Sequence, residues 1–243
     1  MKIALIGHGK MGRAIERIAL ERGHDIVAVV DVDSESRIDS DEFRQADVAI
    51  EFSIPAAAEA NVRAALAEGV PVVCGTTGWA EGLERLKESM PQGSALMWSG
   101  NYSLGVNLFF AANRFLARMM ARFPQYRPDI TEVHHIHKLD HPSGTALMAA
   151  DQIIAEMPAM DGWSEEPAGD TKLLINHERH GEVPGVHRVV WDSPIDSISL
   201  EHSAKSREGF ALGAVLAAEW LPSHKGFHPI SDMMDEIIGG LGR

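Results

Sequence analysis

The chain has 243 residues, of which 45% are hydrophobic and 23% charged, enough to build one large or two modest domains. Its formal net charge of −13 and pI of about 5.3 argue against nucleic acid as a partner. Without a signal peptide or a membrane-length apolar run, and with Cys74 as the single cysteine, the sequence predicts a cytoplasmic protein with no membrane partner.

The N-terminal segment predicts a dinucleotide-binding βαβ unit. A strand over residues 2–6 leads through a glycine-rich loop into a helix over 13–21, and a second strand over 26–30 ends at Asp31. In such units, glycines let the backbone approach a pyrophosphate, and the carboxylate accepts hydrogen bonds from ribose hydroxyls. A tight turn without a ligand is the alternative. The candidate cofactor residues of the loop are Gly7, His8, Gly9, Lys10, Met11 and Gly12.

The residue after Asp31 bears on the choice of cofactor. Val32 stands there, so no arginine is available at this position for a 2′-phosphate, which favours NADH. Lys10 in the loop leaves use of NADPH possible.

Between residues 47 and 98, strands and helices alternate. Strands are predicted over 47–52, 70–74 and 94–98, and helices over 55–68 and 80–90, a pattern typical of a Rossmann-like, doubly wound parallel sheet in an α/β protein. Ligands of such sheets bind beyond the carboxyl ends of the strands. The candidate cofactor residues in these end loops are Phe52, Gly75, Thr76, Thr77, Ser99, Gly100, Asn101 and Tyr102.

After residue 105 the pattern changes. A helix is predicted over 106–123, an exposed loop over 161–170, and strands over 129–135, 171–177, 185–191 and 196–202, followed by helices over 207–221 and 231–238. Strands set apart from helices favour a second α+β domain built on a mixed sheet. We therefore expect a dinucleotide-binding domain over 1–103, a substrate-binding and oligomerisation domain over 104–206, and C-terminal helices over 207–243 that return to the first domain.

The segment 132–146 is the most informative part of the chain. His134, His135, His137 and Lys138 fall within five positions, and a Pro-Ser-Gly-Thr turn then opens a helix near Gly144. Strand alternation would place the side chains of 134 and 138 on one side and those of 135 and 137 on the other. Imidazole, ammonium and a helix N-terminus together suit a small carboxylate substrate that also receives a proton.

Two other interpretations of this segment stay open. Histidines two residues apart can bind zinc, and a solvated strand end would need no ligand. No cysteine lies nearby and no His-Glu-x-x-His helix is present, so we expect no metal.

These motifs resemble the 4-hydroxy-tetrahydrodipicolinate reductase (dihydrodipicolinate reductase) family over nearly the whole chain. The most specific match runs from His134 to Ala146, and support comes from residues 75–78, 101–106, 179–187 and 202–207, the last ending at Arg207. The resemblance implies reduction of 4-hydroxy-tetrahydrodipicolinate by NADH or NADPH in lysine and diaminopimelate synthesis, in a cytoplasmic homotetramer assembled through the second domain.

The resemblance also implies roles for individual residues. His134 and Lys138 correspond to the catalytic residues, His135 contacts substrate, and the Ser143-Gly144-Thr145 turn holds a substrate carboxylate. The cofactor contacts correspond to the loops named above and to Asp31. Two rivals are a different nicotinamide enzyme, such as an amino-acid dehydrogenase, and a nucleotide-sensing protein without catalysis.

Overall fold

A computed structural model describes residues 1–206 and 208–239 of the chain, which form two compact units. Arg207, named in the family motif and as the first residue of a predicted helix, lies outside the described residues, as do residues 240–243. Within the described ranges, no helix is both long and apolar enough to cross a membrane.

The first unit comprises Met1–Leu104 and Glu208–Ile237. Its strands are β1 (Lys2–Ile6), β2 (Asp25–Val30), β3 (Val48–Glu51), β4 (Val72–Cys74), β5 (Ala95–Trp98) and β11 (Gly226–Pro229). Its helices are α1 (Lys10–Glu21), α2 (Asp41–Arg44), α3 (Pro55–Ala67), α4 (Ala80–Glu88), α7 (Glu208–Trp220) and α8 (Ile230–Ile237), with a 3-10 turn over Leu221–Ser223.

The six strands of this unit form one parallel sheet in the order β11-β5-β4-β3-β1-β2. The central strands are buried on both faces because helices cover both sides, and β3 and β4 are buried at every position, including Glu51 at the end of β3. The predicted Rossmann-like sheet is therefore confirmed. The carboxyl ends of β1, β2, β3, β4 and β5 lead into the loops singled out in the sequence.

The C-terminal part of the first unit adds a strand that the sequence pattern missed. Only helices, over 207–221 and 231–238, were expected in this part of the chain, but between them β11 pairs with β5 as an edge strand. Helix α7 packs against α1, where Glu208 binds Arg17, and Glu219 binds Arg22 and His24.

The second unit contains the described residues 105–206 together with 238 and 239. Its helices are α5 (Leu104–Met120) and α6 (Gly144–Glu156), and its strands are β6 (Arg127–His134), β7 (Gly162–Ser164), β8 (Lys172–Arg179), β9 (Val186–Asp192) and β10 (Ser197–Ser203). The sheet order is β10-β9-β6-β8-β7. Strands β6, β7 and β8 are parallel and the pairings of β9 are antiparallel, so the predicted mixed sheet is confirmed. The predicted loop over 161–170 contains the short strand β7.

Candidate active site

A buried row on β6 changes from apolar to polar along the strand. Its inward positions are Pro128, Ile130, Glu132 and His134, and Glu132 is fully buried. Burying an ionisable side chain costs free energy unless other groups compensate it. The end of β6 therefore marks a site rather than ordinary core.

Glu132 connects four segments of the second unit. Its Oε2 accepts the backbone N–H of Ser143 at 2.9 Å, and its Oε1 accepts both Nη atoms of Arg179 at 3.4 Å. The same Oε2 lies 3.7 Å from Nδ1 of His134 and 3.9 Å from Nε2 of His187. Strand register produces this convergence, because Glu132 pairs with His187 on β9, and His134 pairs with Arg179 on β8.

The N-terminus of α6 forms the open side of this cluster. Ser143 is the N-cap, and its Oγ accepts the N–H of Ala146 at 3.2 Å while lying 3.1 Å from Nε2 of His187. A Cβ added at Gly144 would meet no described atom within 4 Å, so the first turn is accessible. Free N–H groups at a helix start attract anions, so Gly144 and Thr145 can receive a carboxylate.

Burial lowers the pKa of two histidines in the site, His134 and His187. Burial, together with the nearby charges of His134, His202 and Lys138, lowers the pKa of His187 to about 3. Burial also lowers the pKa of His134; Glu132 opposes this shift, and Lys138 adds to it. At neutral pH His134 is therefore a neutral imidazole.

Four histidine nitrogens have no hydrogen-bond partner among the residues that the structure describes. They are the buried Nδ1 atoms of His134, His135, His187 and His202. Buried polar atoms are normally paired, so these unpaired nitrogens distinguish the site from ordinary core.

Lys138 reaches the site from a turn. The sequence predicted a strand over 129–135 with alternation carried on to residue 138, but β6 ends at His134, and the N–H of Lys138 donates to the carbonyl of His135 at 3.1 Å. The predicted strand alternation is therefore wrong for Lys138, which lies beyond the end of β6, although the charge of Lys138 still acts on His134. Its Nζ donates to both carboxylate oxygens of Asp140, at 2.8 and 2.7 Å.

His135 is half-buried, whereas His137 is exposed and lies 3.4 Å from Glu182.

Arg179 fixes that turn. Its Nε donates to the carbonyl of Lys138 at 3.1 Å, and its Nη2 donates to the carbonyl of Asp140 at 2.7 Å. One guanidinium thus binds both Glu132 and the backbone that carries Lys138.

Glu132, Arg179, His187 and His202 were given no role in the sequence interpretation. A polar residue at an inward strand position is a detectable signal at Glu132. The other three are contributed by strands more than forty residues away: the pairing register brings Arg179 and His187 to Glu132, and places His202 opposite His187.

The glycine loop of the first unit fits a dinucleotide. Gly7 has φ +90°, and a Cβ there would lie 2.2 Å from the carbonyl oxygen of Phe52, while a Cβ at Gly12 would lie 2.2 Å from that of Gly7. A Cβ at Gly9 would meet no described atom within 4 Å, so space remains above the start of α1. Gly9 is the N-cap of α1 and has no side chain to occupy the first N–H groups. The exposed Lys10 and half-buried Met11 continue this rim.

Asp31 lies at the end of β2 beside this loop. Its Oδ2 accepts the N–H of His8 at 2.6 Å and its Oδ1 that of Val32 at 2.7 Å, and these hydrogen bonds lower its pKa. A cleft of about 500 Å³ adjoins Asp31 and includes Ser34, Ser36 and Arg37 among its lining residues. Arg37 in this cleft binds Asp39 at 3.0 Å.

The remaining predicted cofactor loops meet at the same end of the sheet. The ring of Phe52 lies over Gly75, where a Cβ would be 2.1 Å from it, and Oγ1 of Thr76 accepts the N–H of Ser53 at 2.9 Å. A Cβ at Gly100 would be 3.7 Å from Thr77. Ser99 Oγ accepts the N–H of Asn101 at 3.1 Å.

The side chain of Tyr102 supports this region from within. It is 1% exposed, and its hydroxyl lies 3.0 Å from the carbonyl oxygen of Cys74 and 3.2 Å from that of Met97. The structure thus gives the Tyr102 side chain a packing role, and the cofactor contact of this residue stays a prediction.

Comparison with known proteins identifies the family. Models of the dihydrodipicolinate reductase N-terminus and C-terminus match residues 1–102 and 105–234. A 4-hydroxy-tetrahydrodipicolinate reductase of Christiangramia forsetii is 43% identical over 98% of this chain and 99% of its own, and one of Archaeoglobus fulgidus is 31% identical over 97% and 100%. The fold matches that of a dipicolinate-bound dihydrodipicolinate reductase from Paenisporosarcina sp. TG-14, with a TM-score of 0.75, 23% identity, and coverage of 94% of this chain and 97% of that one. The chain belongs to the dihydrodipicolinate reductase family.

Proposed function

We propose that the chain reduces 4-hydroxy-tetrahydrodipicolinate to tetrahydrodipicolinate with a nicotinamide cofactor. One substrate molecule, one NAD(P)H and one proton yield tetrahydrodipicolinate, NAD(P)⁺ and water. Relatives that share almost the full length of the chain carry this name. Within the chain, the supporting observation is the buried Glu132–His134 row facing an accessible helix start at Ser143.

The cyclic dicarboxylate substrate is bound by the second unit. The N–H groups of Gly144 and Thr145 receive one carboxylate, and Ser143 fixes the first turn of α6 that presents them. His135, whose buried Nδ1 has no partner within the described ranges, contributes a further polar contact.

Lys138 and His134 act on the reacting part of the substrate. Lys138 is the cation that stabilises the electron-rich intermediate and donates a proton to it. The amine is then reprotonated from solvent. His134 is neutral because burial lowers its pKa, so it acts as a hydrogen-bonding partner that orients the reacting group. Arg179 holds the backbone of Lys138, and Glu132 keeps His187 and Ser143 in place.

The cofactor is bound by the first unit. When bound, the dihydronicotinamide supplies the hydride. Residues 7–12 receive the pyrophosphate, Asp31 receives the ribose hydroxyls, and the loops at Phe52, Gly75–Thr77 and Ser99–Asn101 form the walls. NADH is the preferred cofactor, since Asp31 disfavours a 2′-phosphate and Arg37 is already bound to Asp39.

Assembly and location complete the proposal. Strand β10 lies at the edge of the second sheet, where Ile198 is 41% exposed and the preceding Ile195 86% exposed. An unprotected apolar edge favours self-association, and we assign the chain to a homotetramer formed through this sheet. The free, buried Cys74 is compatible with a reducing cytoplasm.

The decisive assay follows NADH oxidation with freshly generated 4-hydroxy-tetrahydrodipicolinate. Substrate-dependent oxidation with tetrahydrodipicolinate as product supports the proposal. Oxidation only with a keto acid and ammonia would favour an amino-acid dehydrogenase. Saturable NADH binding without turnover of either substrate would favour a nucleotide sensor.

A further inference from the structure

A second cluster of ligand-type side chains lies outside the buried site of the second unit. It consists of His141, Glu165 and His177, from three separate segments. His141 lies in the turn before α6, Glu165 directly follows β7, and His177 is on β8. All three are partly exposed, with side-chain exposures of 48%, 32% and 35%.

The geometry of this cluster is convergent. Nδ1 of His141 lies 2.7 Å from Oε1 of Glu165, and Nδ1 of His177 lies 3.3 Å from the same oxygen. The two imidazole rings are stacked, with centroids 4.2 Å apart and an interplanar angle of 16°. One potential ligand atom from each residue lies within 4.8 Å of the other two.

We propose that His141, Glu165 and His177 form a surface site for a divalent transition metal of the zinc class. Two neutral imidazoles and a carboxylate are a common protein ligand set for zinc, and water completes the tetrahedron in sites open to solvent. Calcium and magnesium prefer oxygen ligands, so this donor set disfavours them. To bind one ion at about 2 Å, the two imidazoles rotate out of their parallel stack, so that both nitrogen lone pairs point at the metal.

The buried cluster of Glu132, His134 and His187 is a poorer metal site. Its potential ligand atoms also lie within 4.8 Å of one another. However, the Glu132 carboxylate already accepts hydrogen bonds from Ser143 and Arg179, and Nε2 of His187 lies within hydrogen-bonding distance of Ser143 Oγ. In the outer cluster, Oε1 of Glu165 is hydrogen-bonded to His141 and ion-paired with His177, and these are the two imidazoles that would share the ion with it.

A bound ion would join three segments: the turn before α6, the residue after β7, and β8. His141 lies two residues before Ser143, which caps α6 and binds Glu132. In the pairing of β6 with β8, His177 lies opposite Glu132. The proposed ion therefore ties the turn that carries the helix start to β8 and to the end of β7. This inference does not depend on the reductase activity.

Zinc binding by full-length protein without an affinity tag tests the proposal. Zn²⁺ is titrated in competition with a chromophoric chelator, and Co²⁺ absorption reports tetrahedral coordination. We expect one tight equivalent in the wild type, and at least tenfold weaker binding in His177→Ala and in Glu165→Gln. His137→Ala is the matched control, because His137 and Glu182 form an exposed histidine–glutamate pair outside the proposed site, and it should bind like the wild type.

Three results would overturn the proposal. The first is wild-type protein that binds zinc no better than His177→Ala. The second is wild-type affinity in both His177→Ala and Glu165→Gln, with circular dichroism showing that each is folded. The third is binding that survives these changes but is lost in His134→Ala, which would locate the ion in the buried cluster.

Discussion

Glu132 lies directly opposite His187 in the antiparallel pairing of β6 with β9, and its carboxylate also accepts the backbone N–H of Ser143 at 2.9 Å. One buried carboxylate thereby connects a neutral histidine to the helix start that is proposed to bind substrate. Arg179 supplies the compensating positive charge and also holds the turn of Lys138. Glu132 is therefore a positioning residue for the helix start at Ser143 and, through Arg179, for the turn that carries Lys138.

Replacing Glu132 by Gln should lower kcat by about tenfold or more. The amide has nearly the same shape but removes the charge that compensates Arg179, so the turn of Lys138 loses its alignment. The free energy of unfolding should fall by about 1–3 kcal/mol, a typical cost of leaving a buried polar group without its partner. Steady-state kinetics and urea denaturation measure the two effects.

Glu182→Gln provides the comparison for this change. Glu182 is 80% exposed and contacts only the exposed His137 within the described ion pairs, so both kcat and stability should stay at wild-type values. Wild-type turnover in Glu132→Gln would contradict the positioning role.

Protonation of His187 should make the fold sensitive to acid. The unfolded chain protonates this histidine below about pH 6.5, whereas the folded protein keeps it neutral down to about pH 3. The unfolded state therefore binds one more proton in this window, and the free energy of unfolding falls as the pH decreases. At pH 5 this amounts to about 2 kcal/mol, from about 1.4 kcal/mol per pH unit.

Urea denaturation at pH 7.5 and pH 5.0 isolates this contribution. His187→Asn should show a smaller loss of stability between the two pH values, by about 2 kcal/mol. His137→Asn, at a 70% exposed histidine, should keep the wild-type difference. An unchanged pH dependence in His187→Asn would remove His187 as its source.

Asp31 should decide between the two nicotinamide cofactors. Wild-type protein is expected to use NADH at least as well as NADPH, because the Asp31 carboxylate binds ribose hydroxyls and repels a 2′-phosphate. In Asp31→Ala, kcat/KM for NADH should fall by about tenfold, which is the size of effect expected from the loss of a hydrogen bond to a charged group. The fall for NADPH should be much smaller. Asp33→Ala removes the same charge from a nearby exposed position and should leave the ratio unchanged. A wild-type protein that strongly favours NADPH would contradict this assignment.

The first unit could be predicted well because local patterns determine it. Apolar runs bounded by glycine loops mark β1 and β2, and Asp31 falls where the second strand ends. Strand β11 was missed because it has four residues, including Gly226 and Pro229, and exists only by pairing with β5. Its stability comes from pairing with a strand more than a hundred residues away, and no local sequence pattern indicates this pairing.

In the second unit, too, local features could be predicted from the sequence, but features that depend on strand pairing could not. The segment with His134 and Lys138 was recognisable from its composition, but the strand ended before the lysine. Alternation applies only while backbone pairing continues, and the pairing of β6 stops at His134. The partners of Glu132 follow from the register of three strands, and a single sequence does not specify that register.

The last prediction concerns His134 and Lys138. Replacing either by Ala should lower kcat by about 10²-fold or more, a size typical of groups that handle protons and charge in the transition state. The dissociation constant for NADH should barely change, because all proposed cofactor residues lie within residues 7–102. Stopped-flow turnover and NADH fluorescence titration measure the two quantities separately.

His137→Ala is the internal control for this pair. His137 lies in the same turn but is 70% exposed, so its removal should lower kcat by less than the other two changes do. The pH profile separates the two roles. Since the pKa of His134 is lowered, its protonation should inhibit only on the acid side of pH 6.5, and this inhibition should disappear in His134→Ala. Near-normal kcat in His134→Ala, or loss of NADH binding as severe as the loss of turnover, would refute the assignment.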